Sequence, residues 1–248
     1  MEPTAAQRAG RAGQNRHPAA GSNGNGRRGI LHDTATTHPG TPPQPATEDL
    51  GFDPEAVAAE LEKTSSVTVH LAHSINPDAR FFYLDTDVLF PETYETKDRL
   101  EERYGIRFHR YSSITLEQQA GLYGDQLWGR DADACCGIRK VEPMRSALSA
   151  VDLWVSGIRR SDSHTRARAP KFGWDKRFGL WKLNPLADWS EEQVWAYIND
   201  HDIPYNPLHD QGYPSIGCTH CTRKPAAGED ARAGRWAGLE KTECGLHG

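Results

Sequence analysis

No stretch of about 18 apolar residues occurs in the 248-residue chain, so the sequence offers no segment to cross a membrane, and no membrane partner is expected. No charged opening followed by an apolar run stands at its start, as a secretory signal would require, so the expected location is cytoplasmic. A basic excess is also missing. Acids number 34 and Lys plus Arg 29, a net charge of −5. The first 48 residues carry five Arg against three acids, net +2, which leaves −7 for residues 49–248. Sequence-independent binding to nucleic acid rests on a basic footprint, so no nucleic-acid partner is expected. An anionic ligand would have to be held by a local basic cluster.

Residues 1–48 also lack Trp, Tyr, Phe and Cys, while holding seven Gly and six Pro. With so little to bury, ordering them would not offset the conformational entropy, and they read as a disordered leader. All seven Trp, eight Tyr, seven Phe and five Cys lie in residues 49–248, which are expected to form one domain.

Within that domain Asp53-Pro54 reads as a helix start, and Glu55 to about Lys63 is rich in Ala and Glu and reads as helix. Val67 to Ala72 reads as a second helical stretch, broken by Asn76-Pro77. Phe81 to Leu84, followed by Asp85-Thr86-Asp87, predicts a buried strand with a polar carboxyl end. Pro91 predicts a helix to Tyr104, stopped by Gly105. Ile106 to Tyr111 and Asp152 to Ile158 predict further strands, and Thr115 with Gln118 predicts a capping box. Ser190 caps a helix expected to reach about Asn199. Alternating strands and helices imply an α/β fold with a mostly parallel sheet and flanking helices, with ligands at the carboxyl ends of the strands.

Five cysteines without a secretory signal point to metal or catalytic chemistry instead of disulfides. Cys135 and Cys136 are adjacent, and Cys218 and Cys221 form a C-x-x-C, so four thiolates are available to zinc or to an iron–sulfur cluster. Vicinal cysteines fit poorly on one small tetrahedron, whereas separate iron corners accept them. The spacing leaves both metals open. The bland reading of Cys135-Cys136 is a pair of small buried residues. Cys244 is left over, near the end of an irregular tail (about 223–248) expected to be mobile. Arg223, Lys224, Arg232, Arg235 and Lys241 precede it, and cations near a thiol favour the thiolate. Arg139-Lys140, Arg159-Arg160 and Arg166 form further basic groups. Any single Arg is more often a solvated surface charge, but together they suit an oxyanion.

These residues resemble the assimilatory adenylyl-sulfate reductases, the iron–sulfur branch of the phosphoadenylyl-sulfate reductase family. The matching text is Leu84-Asp85-Thr86, Cys135-Cys136-Gly137-Ile138-Arg139-Lys140, Gly157-Ile158-Arg159-Arg160, Gly212 to Cys221, Gly234-Arg235-Trp236 and Glu243-Cys244-Gly245-Leu246-His247, within roughly residues 60–248. The resemblance implies an adenine-nucleotide α-hydrolase-like fold and a 4Fe-4S cluster on Cys135, Cys136, Cys218 and Cys221. It implies that Cys244 is the nucleophile. Its thiolate would attack the sulfur of adenosine 5′-phosphosulfate, AMP would leave, and thioredoxin would release sulfite from the S-sulfocysteine. Lys140, Arg232 and Arg235 match positions that hold the phosphosulfate. Arg159, Arg160 and Arg166 are weaker matches. Leu84, Asp85 and Thr86 match the strand end beside the adenosine. Oligomeric state is left open.

One feature departs from the family. A strand followed by a glycine-bearing phosphate loop is expected early in the domain, but Ala59 to Val67 contains no glycine and places Glu60 and Glu62 in the loop. Lys63, Thr64, Ser65 and Ser66 could donate to a phosphate in a divergent loop, while propensity favours plain helix. Three readings stand at this point: the adenylyl-sulfate reductase, a reductase using the 3′-phosphorylated nucleotide or both, and a non-catalytic iron–sulfur or zinc protein on the same fold.

Overall fold

The computed structural model describes residues 56–58 and 61–247; the expected leader and the helix start at Asp53-Pro54 lie outside the described residues. The first described element corrects a sequence expectation. Ala56–Ala58 is a strand, β1, and not part of a helix from Glu55 to Lys63. It pairs in parallel with β2 (Arg80–Leu84) on one side and β4 (Leu153–Val155) on the other, at the centre of the sheet. Ala and Glu prefer helix only weakly, and pairing on both edges overrides that preference. Helix α1 starts at Lys63 and runs to Ile75, taking in the apolar stretch 67–72. The strand precedes the helix, and Leu61 and Glu62 lead directly into it.

Some of the remaining elements match the sequence expectations, the strands expected at 106–111 and 152–158 in shortened form, while an antiparallel hairpin at 172–183 is not among them. Helix α2 (Pro91–Tyr104) has Pro in its first turn and ends at Gly105 with φ 65°. Strand β3 (Phe108–Tyr111) pairs with β2, and α3 (Leu116–Tyr123) carries both halves of the Thr115–Gln118 capping box. Helices α4 (Leu127–Arg130), α5 (Ala132–Cys136) and α6 (Glu142–Leu148) lead to β4. Strands β5 (Phe172–Asp175) and β6 (Leu180–Leu183) form an antiparallel hairpin, with β6 parallel to β4. Helix α7 (Glu191–Asp200) is capped by Ser190. The sheet order is β3-β2-β1-β4-β6-β5, parallel but for the edge strand β5.

The period-two alternation of the strands divides the core between the two faces of the sheet. Phe81 and Tyr83 pack with Val69, Leu100 and Ile106. Phe82 and Trp154 pack on the opposite face with Met144, Leu148 and, from the end of the chain, Cys244 and Leu246. Glycine is required where β4 ends. A Cβ on Gly157 would lie 2.9 Å from the backbone carbon of Thr64, so a side chain there would push α1 away from the sheet. That close approach brings the start of α1 and the end of β4 to one site.

Candidate active site

A cavity of about 630 Å³ opens at the carboxyl ends of the central strands, between the start of α1, the loop after β4 and the C-terminal tail. Its floor includes Leu61, Lys63, Thr64, Leu84 and Gly157. Leu61 adopts φ 57°, the left-handed region in which glycine is unstrained, and is 1% exposed. A leucine thus holds a backbone conformation that glycine would adopt without strain, and its side chain is held in the core.

The helix end below it is already occupied from within. The Lys63 backbone N–H donates to His209 Nε2 at 3.2 Å, and His209 Nδ1 lies 2.7 Å from the Tyr213 carbonyl oxygen. Burial, and then the neighbouring Lys63 charge, push the His209 imidazole down to about 4. Lys63 Nζ pairs with Glu191 at 3.0 Å and donates to the Pro214 carbonyl at 3.2 Å. Burial opposes ionisation of Glu191, but Lys63 and Arg159 hold its carboxyl below the usual range. Glu62, which looks hostile to an anion in the sequence, accepts the Ile216 N–H at 3.0 Å and stands 3.7 Å from Arg235.

Four arginines reach the cavity. Arg159 Nη2 donates to Glu191 at 2.6 Å, and its Nε to Asp162 at 3.0 Å, while Nη1 is buried without a partner among the described residues. Arg235 Nη1 donates to Ser215 Oγ at 2.9 Å and to the Ile216 carbonyl at 3.1 Å, and its Nε is likewise buried and unpaired. Gly217 lets that guanidinium pass. A Cβ there would collide with it. Arg166 and Arg232 both meet Glu243, at 2.8 Å and 3.4 Å. Arg160 instead donates to the Ala169 carbonyl at 2.9 Å and is not among the lining residues.

The tail is docked in this structure. Cys244 lines the cavity and is 5% exposed, with Leu246 and His247 buried behind it. His247 stacks on Trp154 at 5.8 Å, and its Nδ1 lies 3.0 Å from Lys182 Nζ.

A second, smaller cavity adjoins the first and is lined by all four remaining cysteines, Cys135, Cys136, Cys218 and Cys221. All are free thiols. No three or more Cys, His, Asp or Glu side chains among the described residues converge closely enough to hold one metal ion. Burial, reinforced by the neighbouring thiols, pushes Cys135 and Cys221 up to about 11. Thiols this reluctant to ionise become thiolates when a metal centre binds them. Four sulfurs lining one cavity supply the soft donor set that zinc or an iron–sulfur cluster takes. Thr86 Oγ1 lies 3.3 Å from Cys218 Sγ, and the Trp128 and His220 rings, which also line this cavity, lie 4.1 Å apart with their planes tilted by 31°.

One helical run supplies both cavities. Between α5 and α6, Gly137–Val141 forms a π-helical turn. Pro143, which has no N–H to donate back, lies just beyond it, and the widened turn absorbs that missing bond. The turn carries Lys140, which lines both cavities. It also carries Arg139, tied to Gln119 at 2.7 Å and to the Thr86 carbonyl at 2.9 Å.

Of the residues singled out in the sequence, Lys63, Leu84, Lys140, Arg159, Arg166, Arg232, Arg235 and Cys244 meet at the larger cavity. Asp85 does not line it. Tyr94 at 2.7 Å and Arg110 at 2.7 Å hold it in place beside β2, and these bonds keep its carboxyl low despite burial. Thr86 serves the cysteine side, and Ser65 and Ser66 are buried within α1. The sequence reading missed His209, Glu191 and Glu243. The first two are brought in by contacts spanning more than a hundred residues. Glu243 stood inside a quoted motif.

The chain matches the family described as "Phosphoadenosine phosphosulfate reductase domain" over residues 55–224. It is 49% identical over 192 residues to the adenosine 5′-phosphosulfate reductase of Shouchella clausii, covering 77% of this chain and 80% of that one. It is 44% identical over 203 residues to the enzyme of the same name from Salinibacter ruber, covering 81% and 77%. Among solved structures, the phosphoadenylyl-sulfate reductase of Candida auris, in a phosphate complex, superposes with a TM-score of 0.59 at 30% identity, covering 68% of this chain and 84% of that chain. The strand order, the cavity at the strand ends and these likenesses agree: the chain belongs to the phosphoadenosine phosphosulfate reductase family, among its adenosine 5′-phosphosulfate reductases.

Proposed function

We propose that this protein reduces adenosine 5′-phosphosulfate to sulfite and AMP, with Cys244 as the nucleophile. The observation that carries this reading is the company Cys244 keeps: its cavity is shared with Lys140, Arg159, Arg166, Arg232 and Arg235. The Cys244 thiolate attacks the substrate sulfur, the sulfur–oxygen bond to AMP breaks, and AMP leaves with the electron pair. The S-sulfocysteine then meets a reduced dithiol partner, thioredoxin. One partner thiolate attacks Cys244 Sγ, sulfite leaves with the sulfur–sulfur bonding pair, and the partner's second thiol resolves the mixed disulfide. Oxidised thioredoxin and a free Cys244 result. The buried, unpaired N–H groups of Arg159 and Arg235 suit the spread negative charge of a phosphosulfate, and fixed donors of this kind stabilise a departing phosphate. Positioning and charge neutralisation suffice for a leaving group as good as AMP.

Cys135, Cys136, Cys218 and Cys221 would hold a 4Fe-4S cluster, which would supply a charged centre beside Lys140. The chain's own part is Lys140, whose position on both cavity walls supports a role in coupling that centre to the substrate anion. The non-catalytic reading rests on the glycine-free loop; the left-handed backbone at Leu61, a conformation glycine adopts without strain, supports the catalytic reading. With five free thiols, the protein suits a reducing compartment such as the cytoplasm.

A sulfite-release assay with reduced thioredoxin tests the proposal, comparing the 5′-phosphosulfate, its 3′-phosphorylated counterpart and the Cys244→Ser variant. Sulfite is expected from the first with wild type and none with the variant. Equal sulfite from the variant would exclude Cys244 as nucleophile.

A further inference from the structure

The acid just before the nucleophile is bound more completely than a tail residue needs to be. Glu243 Oε1 accepts from Arg166 Nε at 2.9 Å, from Ser163 Oγ at 2.9 Å and from Thr165 Oγ1 at 2.9 Å. Glu243 Oε2 accepts from Arg166 Nη2 at 2.8 Å and from Arg232 Nη2 at 3.4 Å. Arg232 also donates to the Thr242 carbonyl at 3.1 Å, so it grips the backbone of the same segment. The Arg166 and Glu243 side chains are 8% and 12% exposed. A two-pronged pair of this burial is far better fixed than the usual surface pair. On the other side of Cys244, Leu246 is 2% exposed in the core.

We propose that Glu243 is a positioning residue: its carboxylate, clasped by Arg166, Arg232, Ser163 and Thr165, holds the tail so that Cys244 is seated in the cavity. Cys244 hangs between two unlike anchors. The Leu246 side is anchored mainly by apolar burial, with His247 beyond it beside Lys182. The Glu243 side is ionic, and its two arginines also line the cavity. The clasp therefore registers Cys244 against the groups that would bind the substrate, through shared arginines. Glu243 touches no reacting atom. It acts through the placement of its neighbour.

The seating claim stands apart from the proposed reaction, on which only its kinetic arm rests. Alkylation of Cys244 by iodoacetamide, followed by peptide mass spectrometry on the cluster-loaded protein without nucleotide, reads the seating directly. Glu243→Gln is expected to raise the Cys244 alkylation rate about tenfold, with Glu243→Asp intermediate and the visible absorbance unchanged. The double variant Ser163→Ala with Thr165→Val removes two donors and keeps the ion pair, and is expected to raise it about two- to threefold. In the sulfite assay Glu243→Gln is expected to lower kcat more than it raises KM. Wild-type alkylation rates in both Glu243→Gln and the double variant, with absorbance intact, would overturn the clasp whatever the activity. Absence of sulfite release from wild type would overturn the reductase reading and leave the alkylation result to decide the clasp.

Discussion

His209 Nε2 accepts the backbone N–H of Lys63 at 3.2 Å, closing the first turn of α1 with a side chain from 146 residues further along. The donor at the head of that helix, which an anion would otherwise attract, is spent on an internal partner. The imidazole must be neutral at Nε2 to accept it, which agrees with its low protonation point of about 4.

A pH dependence follows with a definite sign. Below about 6.5 the unfolded chain binds a proton on His209 that the folded chain refuses until about 4, so stability falls as pH drops through that window. The loss is on the order of 2–3 kcal/mol at the acid end. His209→Gln should flatten the chemical-denaturation midpoint between those pH values. An unchanged slope would remove His209 from the account.

Leu61 sets two effects against each other. Left-handed backbone costs a leucine about 1–2 kcal/mol, while loss of a buried leucine side chain costs about 2–5 kcal/mol, so burial wins and every truncation destabilises. The order is the sharper expectation. Leu61→Gly removes the strain together with the side chain, whereas Leu61→Ala keeps the strain. The glycine variant should be the more stable of the two by about 1 kcal/mol, against the general rule, measured by urea unfolding.

Arg235→Ala should lower sulfite formation by about a hundredfold or more and also reduce the melting temperature. It removes the donor to Ser215 Oγ and the cation 3.7 Å from Glu62, leaving that carboxylate facing the cavity. Arg235→Lys keeps the charge without the planar fork and should mainly raise KM. Steady-state kinetics with thermal melts would separate the two.

Lys140→Ala should cut turnover about ten- to a hundredfold while the visible absorbance of the loaded protein persists, because Lys140 is not a sulfur donor. Full activity in this variant would detach the cysteine cavity from the chemistry.

Local signals made much of the fold legible. Pro91 and Gly105 bound α2 at its residues, and Thr115–Gln118 and Ser190 cap the helices they precede. What escaped was decided at long range. Ala56–Ala58 has helical composition, and only its place between β2 and β4 makes it a strand. The π turn at Gly137–Val141 needed Pro143 to be read as a distortion within a helix. The β5–β6 hairpin gave no clean alternation because Trp, Lys and Asp stand side by side in its short strands. The cysteine motifs were legible at once, because their chemistry is carried by residue type, and the four cysteines line one cavity. The carboxylates that neutralise its arginines were hidden, because nothing local distinguishes Glu191 from Glu192.

Cys244 and Leu246 belong to the same buried cluster as Phe82, Met144 and Trp154. The segment proposed to do the chemistry is thus also a wall of the building. A partner that reaches Cys244 by drawing the tail outward must lift Leu246 from the core, at about 1.5–3 kcal/mol of lost burial. For such a partner, the folding energy of the domain itself sets the cost, and reaching the thiol becomes a small, reversible fraction of unfolding.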